Sequence, residues 1–342
     1  MSESCMASEI AEAGDRLAGG LAANRDAIAA LAQRLRRLDP PLLATNARGS
    51  SDHAAGLLKF MVETRLGLPC ASLGPSLASL YHRPLRMAGT ALVSFSQSGR
   101  SPDIVALQNA ARDSGALTIA LANDETSPLA GGAEVLLPLK AGPERSVAAT
   151  KSALSSMGLA AALAAAWADD KVLGTAVQAL PSVLMRNAGA PSESIVSRLA
   201  AARSLFVIGR GATFSIAAEA ALKLKETCAI HAEAFSAAEV LHGPAGILAP
   251  GFPVLAFLPQ DEARAGTLAT LERLAGIGAV PLLIDIAMHP VWPTLLAPDC
   301  GDPIANAIAA LHTFYRFAEA LARQRGRNPD APPHLSKVTR TV

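Results

Sequence analysis

The chain has 342 residues, 51% of them hydrophobic but only 4% aromatic, so large cores of small apolar side chains can form, which suits helices on sheets better than an all-β fold. A net charge of +1 gives no basis for nucleic acid or a membrane surface as partner. The four cysteines, Cys5, Cys70, Cys228 and Cys300, are scattered without Cys-x-x-Cys or metal-ligand spacing, so reduced thiols, no metal and a cytoplasmic protein are expected.

Met1-Ser2-Glu3-Ser4 lacks the basic start and apolar core of a signal peptide. Residues 8–38 read as helix, with Leu21, Ile28, Leu31, Leu35 and Leu38 at helical spacing, and Pro40-Pro41 ends it. Leu42-Leu43-Ala44-Thr45 is a candidate buried strand that runs into Asn46-Ala47-Arg48-Gly49-Ser50-Ser51-Asp52, followed by helix to Arg65. A second unit has a strand at Thr90–Phe95, the loop Ser96-Gln97-Ser98-Gly99-Arg100-Ser101 and a helix from Pro102 to Ser114. A third runs Leu117–Leu121 into Asn123-Asp124. Alternating strand and helix implies a parallel sheet covered on both faces. Residues 150–168 form an Ala-rich helix whose apolar stretch, Met157 to Trp167, is too short to span a bilayer; residues 169–190 read as connection plus helix.

The pattern then repeats. Leu205–Ile208 leads to Gly209-Arg210-Gly211, Val254–Phe257 to Leu258-Pro259-Gln260-Asp261, and Gly278–Ile284 to Asp285. Arg48 and Arg210 are offset by 162, as are Ser96 and Leu258, and Gly115 and Gly278 by 163. Three units in one order at a near-constant offset imply two copies of one α/β domain. The expected organisation is a helical segment over 1–38, the first copy over 39–170, the second over 190–325 and an irregular tail over 326–342, broken by Gly326, Pro329, Pro332 and Pro333.

Two stretches carry chemistry. Ser96–Ser101 follows a strand and precedes a helix, where open α/β sheets bind ligands; its hydroxyls, its amide and the helix N–H groups suit a phosphate that Gly99 lets approach. An ordinary polar turn with an N-cap serine is the alternative. The second-copy loop, Leu258-Pro259-Gln260-Asp261, has no hydroxyl and a carboxylate, so one phosphate site per chain is expected. The other stretch is the helix opening near Gly211, with Glu219, Lys223 and Glu226 at i, i+4 and i+7, continued by a polar, turn-prone segment with His231 and His242. Carboxylate, amine and imidazole are the groups that move protons on a small substrate, and a solvated helix face with a loop is the plain alternative. His231, beside Ile230, reads as structural. Asp52-His53 is either an N-cap or a substrate contact. His82 and His289, near prolines, carry no signal.

These motifs together resemble the sugar isomerase (SIS) family. Arg48-Gly49-Ser50-Ser51, Ser96-Gln97-Ser98-Gly99, Ser146-Val147-Ala148-Ala149-Thr150-Lys151, the Glu219–His242 block and the tail Leu335-Ser336-Lys337-Val338-Thr339 are similar to the isomerase half of glucosamine-6-phosphate synthase and to SIS-type glucosamine-6-phosphate deaminases. The resemblance implies two tandem flavodoxin-like SIS domains and a homodimer with sites at the subunit interface. It implies that Ser50, Ser51, Ser96, Gln97, Ser98 and Ser101 hold the sugar phosphate, with Ala148 and Glu219 also at the substrate. Glu226 would shuttle the proton between C1 and C2, Lys223 would orient it, His242 would open the ring from the neighbouring subunit, and Lys337 would meet the carbonyl end. The substrate is expected to be hexosamine 6-phosphate or fructose 6-phosphate, with no cofactor. Arg48 replaces a small residue, Arg100 an acidic one and Ala149 a serine of the synthase pattern; Arg100 is expected to add charge near the phosphate. No glutaminase segment is seen before residue 1, so the hydrolytic direction is expected: glucosamine 6-phosphate and water give fructose 6-phosphate and ammonia. Galactosamine 6-phosphate as substrate, a plain aldose–ketose isomerase and a non-catalytic sugar-phosphate sensor are the alternatives.

Overall fold

A computed structural model of the chain describes residues 3–337; Val338 and Thr339 of the tail motif lie outside the described residues. The chain divides into two compact units. One comprises Ala13–Glu144, Lys151–Pro181 and the chain from Ser336; the other comprises the chain to Glu12, Arg145–Thr150 and Ser182–Leu335. We call them the first and second unit after their sheets.

Among the described residues, ten strands form two sheets. The first holds β1 (Leu43–Asn46), β2 (Cys70–Ser72), β3 (Ala91–Ser96), β4 (Leu117–Ala122) and β5 (Val135–Pro138) in the order β2-β1-β3-β4-β5. The second holds β6 (Ser204–Gly209), β7 (His231–Ser236), β8 (Pro253–Phe257), β9 (Val280–Asp285) and β10 (Thr294–Leu296) in the order β7-β6-β8-β9-β10. Every pairing is parallel, and the two orders are the same when matched strand for strand. All residues of β1, β3 and β4 are buried, as continuous apolar runs in a two-sided parallel sheet require.

The helices, in chain order, are α1 (Cys5–Ala11), α2 (Ala13–Leu38), α3 (Ser50–Leu66), α4 (Ser76–Ser79), α5 (Pro102–Asp113), α6 (Pro128–Gly132), α7 (Lys151–Ala168), α8 (Lys171–Arg186), α9 (Glu193–Ala200), α10 (Ala212–Cys228), α11 (Ala263–Gly276) and α12 (Pro303–Gln324). The repeat extends to backbone angles. Gly49 before α3 has φ 56° and ψ −135°, and Gly211 before α10 has φ 59° and ψ −130°, a region open to glycine and to few other residues.

The structure departs from two expectations. The single helix expected from residue 8 is two, because the chain turns at Glu12 between α1 and α2. The polar segment after α10 is not a loop throughout: His231–Ser236 forms the edge strand β7, in register with Ser204–Gly209. Only from Ala237 does it become turn, up to the short 3-10 helix Pro244–Ile247.

Candidate active site

In the first unit, β3 delivers Ser96 to the C-terminal edge of the sheet, and the chain must turn sharply to start α5. Ser96 Oγ accepts the Gly99 N–H at 3.0 Å, and Ser98 Oγ accepts the Arg100 N–H at 3.3 Å. Gln97 is fixed through its backbone carbonyl, which accepts the Asn123 N–H at 3.2 Å. Gly99 has φ +62°, and a Cβ there would lie 2.0 Å from Ser127 Oγ, so both conformation and space demand glycine. Ser101 is the N-cap of α5 without using its side chain as a cap, which leaves the hydroxyl for another partner. Ser50 and Ser51 open α3 behind Gly49, where no side chain caps the first turn. Both helix starts therefore present N–H groups beside serine hydroxyls, the donor set an oxyanion needs.

The two unusual arginines are engaged by carboxylates. Arg48 donates through Nε and a terminal nitrogen to Asp103 Oδ2, at 3.2 and 3.1 Å. Arg100 donates to Asp124 Oδ2 at 3.0 and 2.7 Å, which fixes its guanidinium on that carboxylate. Gly49, not Asp52, is the N-cap of α3; Asp52 lies in the first turn with its N–H on the Gly49 carbonyl.

Also in the first unit, Lys337 is not a solvated tail residue. Its ammonium donates to Glu144 Oε2 at 2.8 Å, and the N–H and hydroxyl of Ser152 donate to the same buried carboxylate at 3.1 and 2.7 Å. Sequence reasoning passed over Glu144, although it stands two residues before the Ser146–Lys151 motif.

The second unit carries the acid–base block. One face of α10 turns inward, so the solvated-face alternative does not hold. Glu219 and Lys223 side chains are fully buried and Glu226 is 19% exposed. Lys223 Nζ lies 3.4 Å from Glu219 Oε1 and donates to Glu226 Oε2. Burial alone would pull the Lys223 pKa down, but the charges of Glu219 and Glu226 and its hydrogen bonds to them outweigh it and hold the pKa above the ordinary lysine value. The ammonium is therefore fixed as a cation. Tyr315 of α12, which sequence reasoning missed, donates its hydroxyl to Glu219 Oε1 at 2.9 Å. Nothing local marks Tyr315, which lies among the apolar positions of an ordinary amphipathic helix.

His242 is exposed in the turn beyond β7, with its N–H on the Glu239 carbonyl at 2.8 Å. Ala148 is fully buried in a segment fastened at both ends of the unit's sequence. The Val147 N–H and Ser146 Oγ donate to Asp330, at 3.1 and 3.2 Å, and the Arg145 and Ser146 N–H groups donate to Glu9 of α1.

The second-copy loop is tied to the end of β9 and the start of α11. Gln260 Nε2 and Arg264 Nη1 donate to Asp285 Oδ1 at 2.7 and 2.9 Å, and Arg264 Nη2 to Oδ2 at 2.6 Å. Among the described residues no group of three or more His, Cys, Asp or Glu is arranged to hold a metal, and no helix is long and apolar enough to cross a membrane.

The SIS domain model matches residues 43–166 and 198–287, and the chain belongs to this family. Its architecture is two tandem flavodoxin-like SIS domains. The chain is 40% identical to a candidate phosphosugar isomerase from Silicibacter pomeroyi DSS-3, with a TM-score of 0.90 over 96% of this chain and 100% of that one. It is 30% identical over 319 residues to the isomerizing glutamine–fructose-6-phosphate aminotransferase of Bradyrhizobium diazoefficiens, covering 86% of this chain and 51% of that protein. The chain thus spans about half the length of the curated relatives it matches. A glucosamine-6-phosphate deaminase from Thermotoga maritima shares the fold, with a TM-score of 0.78 at 19% identity over 99% of this chain and all of that one.

Proposed function

We propose that the protein is an amino-sugar phosphate enzyme of the phosphosugar isomerase class, and that it acts as a glucosamine-6-phosphate deaminase. The observation that carries this reading is Glu226: a partly open carboxylate hydrogen-bonded to a fully buried lysine whose positive charge is held by a second carboxylate. Burying such a triad is costly, and binding alone has no use for it, which speaks against a sensor.

Each group then has a task. Ser50, Ser51, Ser96, Gln97, Ser98 and Ser101 supply neutral donors to the phosphate, and the helix N–H groups balance its charge. His242 opens the pyranose to the aldehyde, acting across a homodimer interface as the family resemblance implies. Glu226 takes the C2 proton and returns one at C1, giving the 2-imine. Water adds to the imine, and ammonia leaves as fructose 6-phosphate forms. Lys337 meets the carbonyl end, and the carboxylate of Glu144 holds its ammonium in place. The buried position of Glu219 gives it a supporting rather than a contacting part, and Ala148 offers packing and backbone only.

The deciding experiment is an ammonia-release assay on a panel of hexosamine 6-phosphates. Release from glucosamine 6-phosphate is expected. Release only from galactosamine 6-phosphate, or aldose–ketose interconversion without ammonia, would replace the deaminase assignment with one of those activities. Mixing His242→Ala with Glu226→Gln is expected to restore activity toward roughly one quarter of wild type, because each two-fold interface is used twice in a dimer.

A further inference from the structure

We propose that Tyr315 is a positioning residue for the proton-transfer step, acting through Glu219 and Lys223 on Glu226. This rests on the reading of Glu226 as the base. The geometry is a chain of contacts in one buried layer between α10 and α12. The Tyr315 hydroxyl donates to Glu219 Oε1 at 2.9 Å, that oxygen lies 3.4 Å from Lys223 Nζ, and Lys223 donates to Glu226. Tyr315, Glu219 and Lys223 are each 0% exposed, so water cannot replace a missing link. The exposure rises only at Glu226, the end of the chain that meets solvent.

The lysine has two carboxylates competing for it. A hydrogen bond donated to a carboxylate stabilises its charge and weakens its hold on a neighbouring cation. With the tyrosine hydroxyl on Glu219, Lys223 can lean towards Glu226, the shorter of its two contacts. Without it, Glu219 is left with one donor fewer in a dry site and draws the ammonium to itself. Glu226 then loses part of its cation, and the base is held less firmly in place. The hydroxyl thus sets where Lys223 points and how firmly Glu226 is held.

Tyr315→Phe tests this, since it removes one oxygen and keeps the ring that packs α12. Two readouts are taken on the full chain. The first is the hydrogen-exchange rate of the Lys223 ammonium, followed by NMR on ¹⁵N-lysine protein without substrate and assigned with Lys223→Arg. The second is kcat and KM, taken separately, with glucosamine 6-phosphate. The relay predicts exchange and kcat both changed by about tenfold, the size of one hydrogen bond to a charged group. KM should stay within about twofold, since no phosphate or sugar contact is touched. A folded variant with unchanged ammonium exchange overturns the relay. Changed exchange with unchanged kcat makes Tyr315 structural and also overturns the assignment. If wild-type protein turns over no hexosamine phosphate, the proposed activity fails, and the exchange rate by itself decides whether Tyr315 governs Lys223.

Discussion

The two halves of the repeat have the same strands in the same order, yet each has kept what the other lacks. α3 and α10 are both 17-residue helices entered through a glycine with near-identical angles. At the positions of Glu219, Lys223 and Glu226, α3 carries Leu57, Met61 and Thr64. Leu57 and Met61 are fully buried, so the first copy fills with hydrocarbon the volume that the second fills with charge. The loops after β3 and β8 differ in the opposite sense. The first keeps its serines, and the second is tied down by the Arg264–Asp285 ion pair and Gln260. On the proposed reading, a duplicated scaffold lets one copy hold the anion and the other move the proton, so neither function has to fit around the other.

The sharpest way to break this contrast is to remove the proton acceptor. Glu226→Gln keeps the shape and is expected to lower turnover about 10²–10⁴-fold, while hexose 6-phosphate still binds. Near-normal turnover would remove Glu226 from the chemistry.

The next test converts one copy into the other. Lys223→Met alone leaves Glu219 charged and buried, and is expected to destabilise the protein by about 3–5 kcal/mol in denaturant titration. Adding Glu219→Leu reproduces the pair found in α3 and should recover most of that loss, with activity still absent. A double variant no more stable than the single one would show that the charged layer is needed for folding.

A smaller effect is expected at the phosphate loop. Ser98→Ala removes one donor, and affinity for fructose 6-phosphate should weaken by roughly 1.5–3 kcal/mol. Gln260→Ala, at the matching place in the second copy, should leave affinity unchanged. Equal losses in both variants, by calorimetry, would erase the functional difference between the loops.

Much of the scaffold was legible because central parallel strands are continuous apolar runs: β1, β3, β4, β6, β8 and β9 all read as strands from sequence. The edges did not. Cys70–Ser72 and Thr294–Leu296 have three residues each, and β5 and β7 are only partly buried, so neither length nor periodicity marks them. The chemistry-bearing residues on α10 were visible as a spacing, but not that the face points inward, since a charged triad reads as solvated unless its partner is seen. That partner, Tyr315, is 96 positions from Glu219, and Glu144 is 193 from Lys337; such contacts are made by topology and leave no local trace.

The division of labour is tested most directly by the number of sugar phosphates bound per chain. Titration of fructose 6-phosphate into Glu226→Gln, which cannot turn it over, should give one site per chain in the calorimeter, and the same titration with Ser98→Ala added should weaken that single site. Two equal sites per chain would contradict the account, because the loop closed by Asp285 and Arg264 would then bind phosphate as well as the serine loop does.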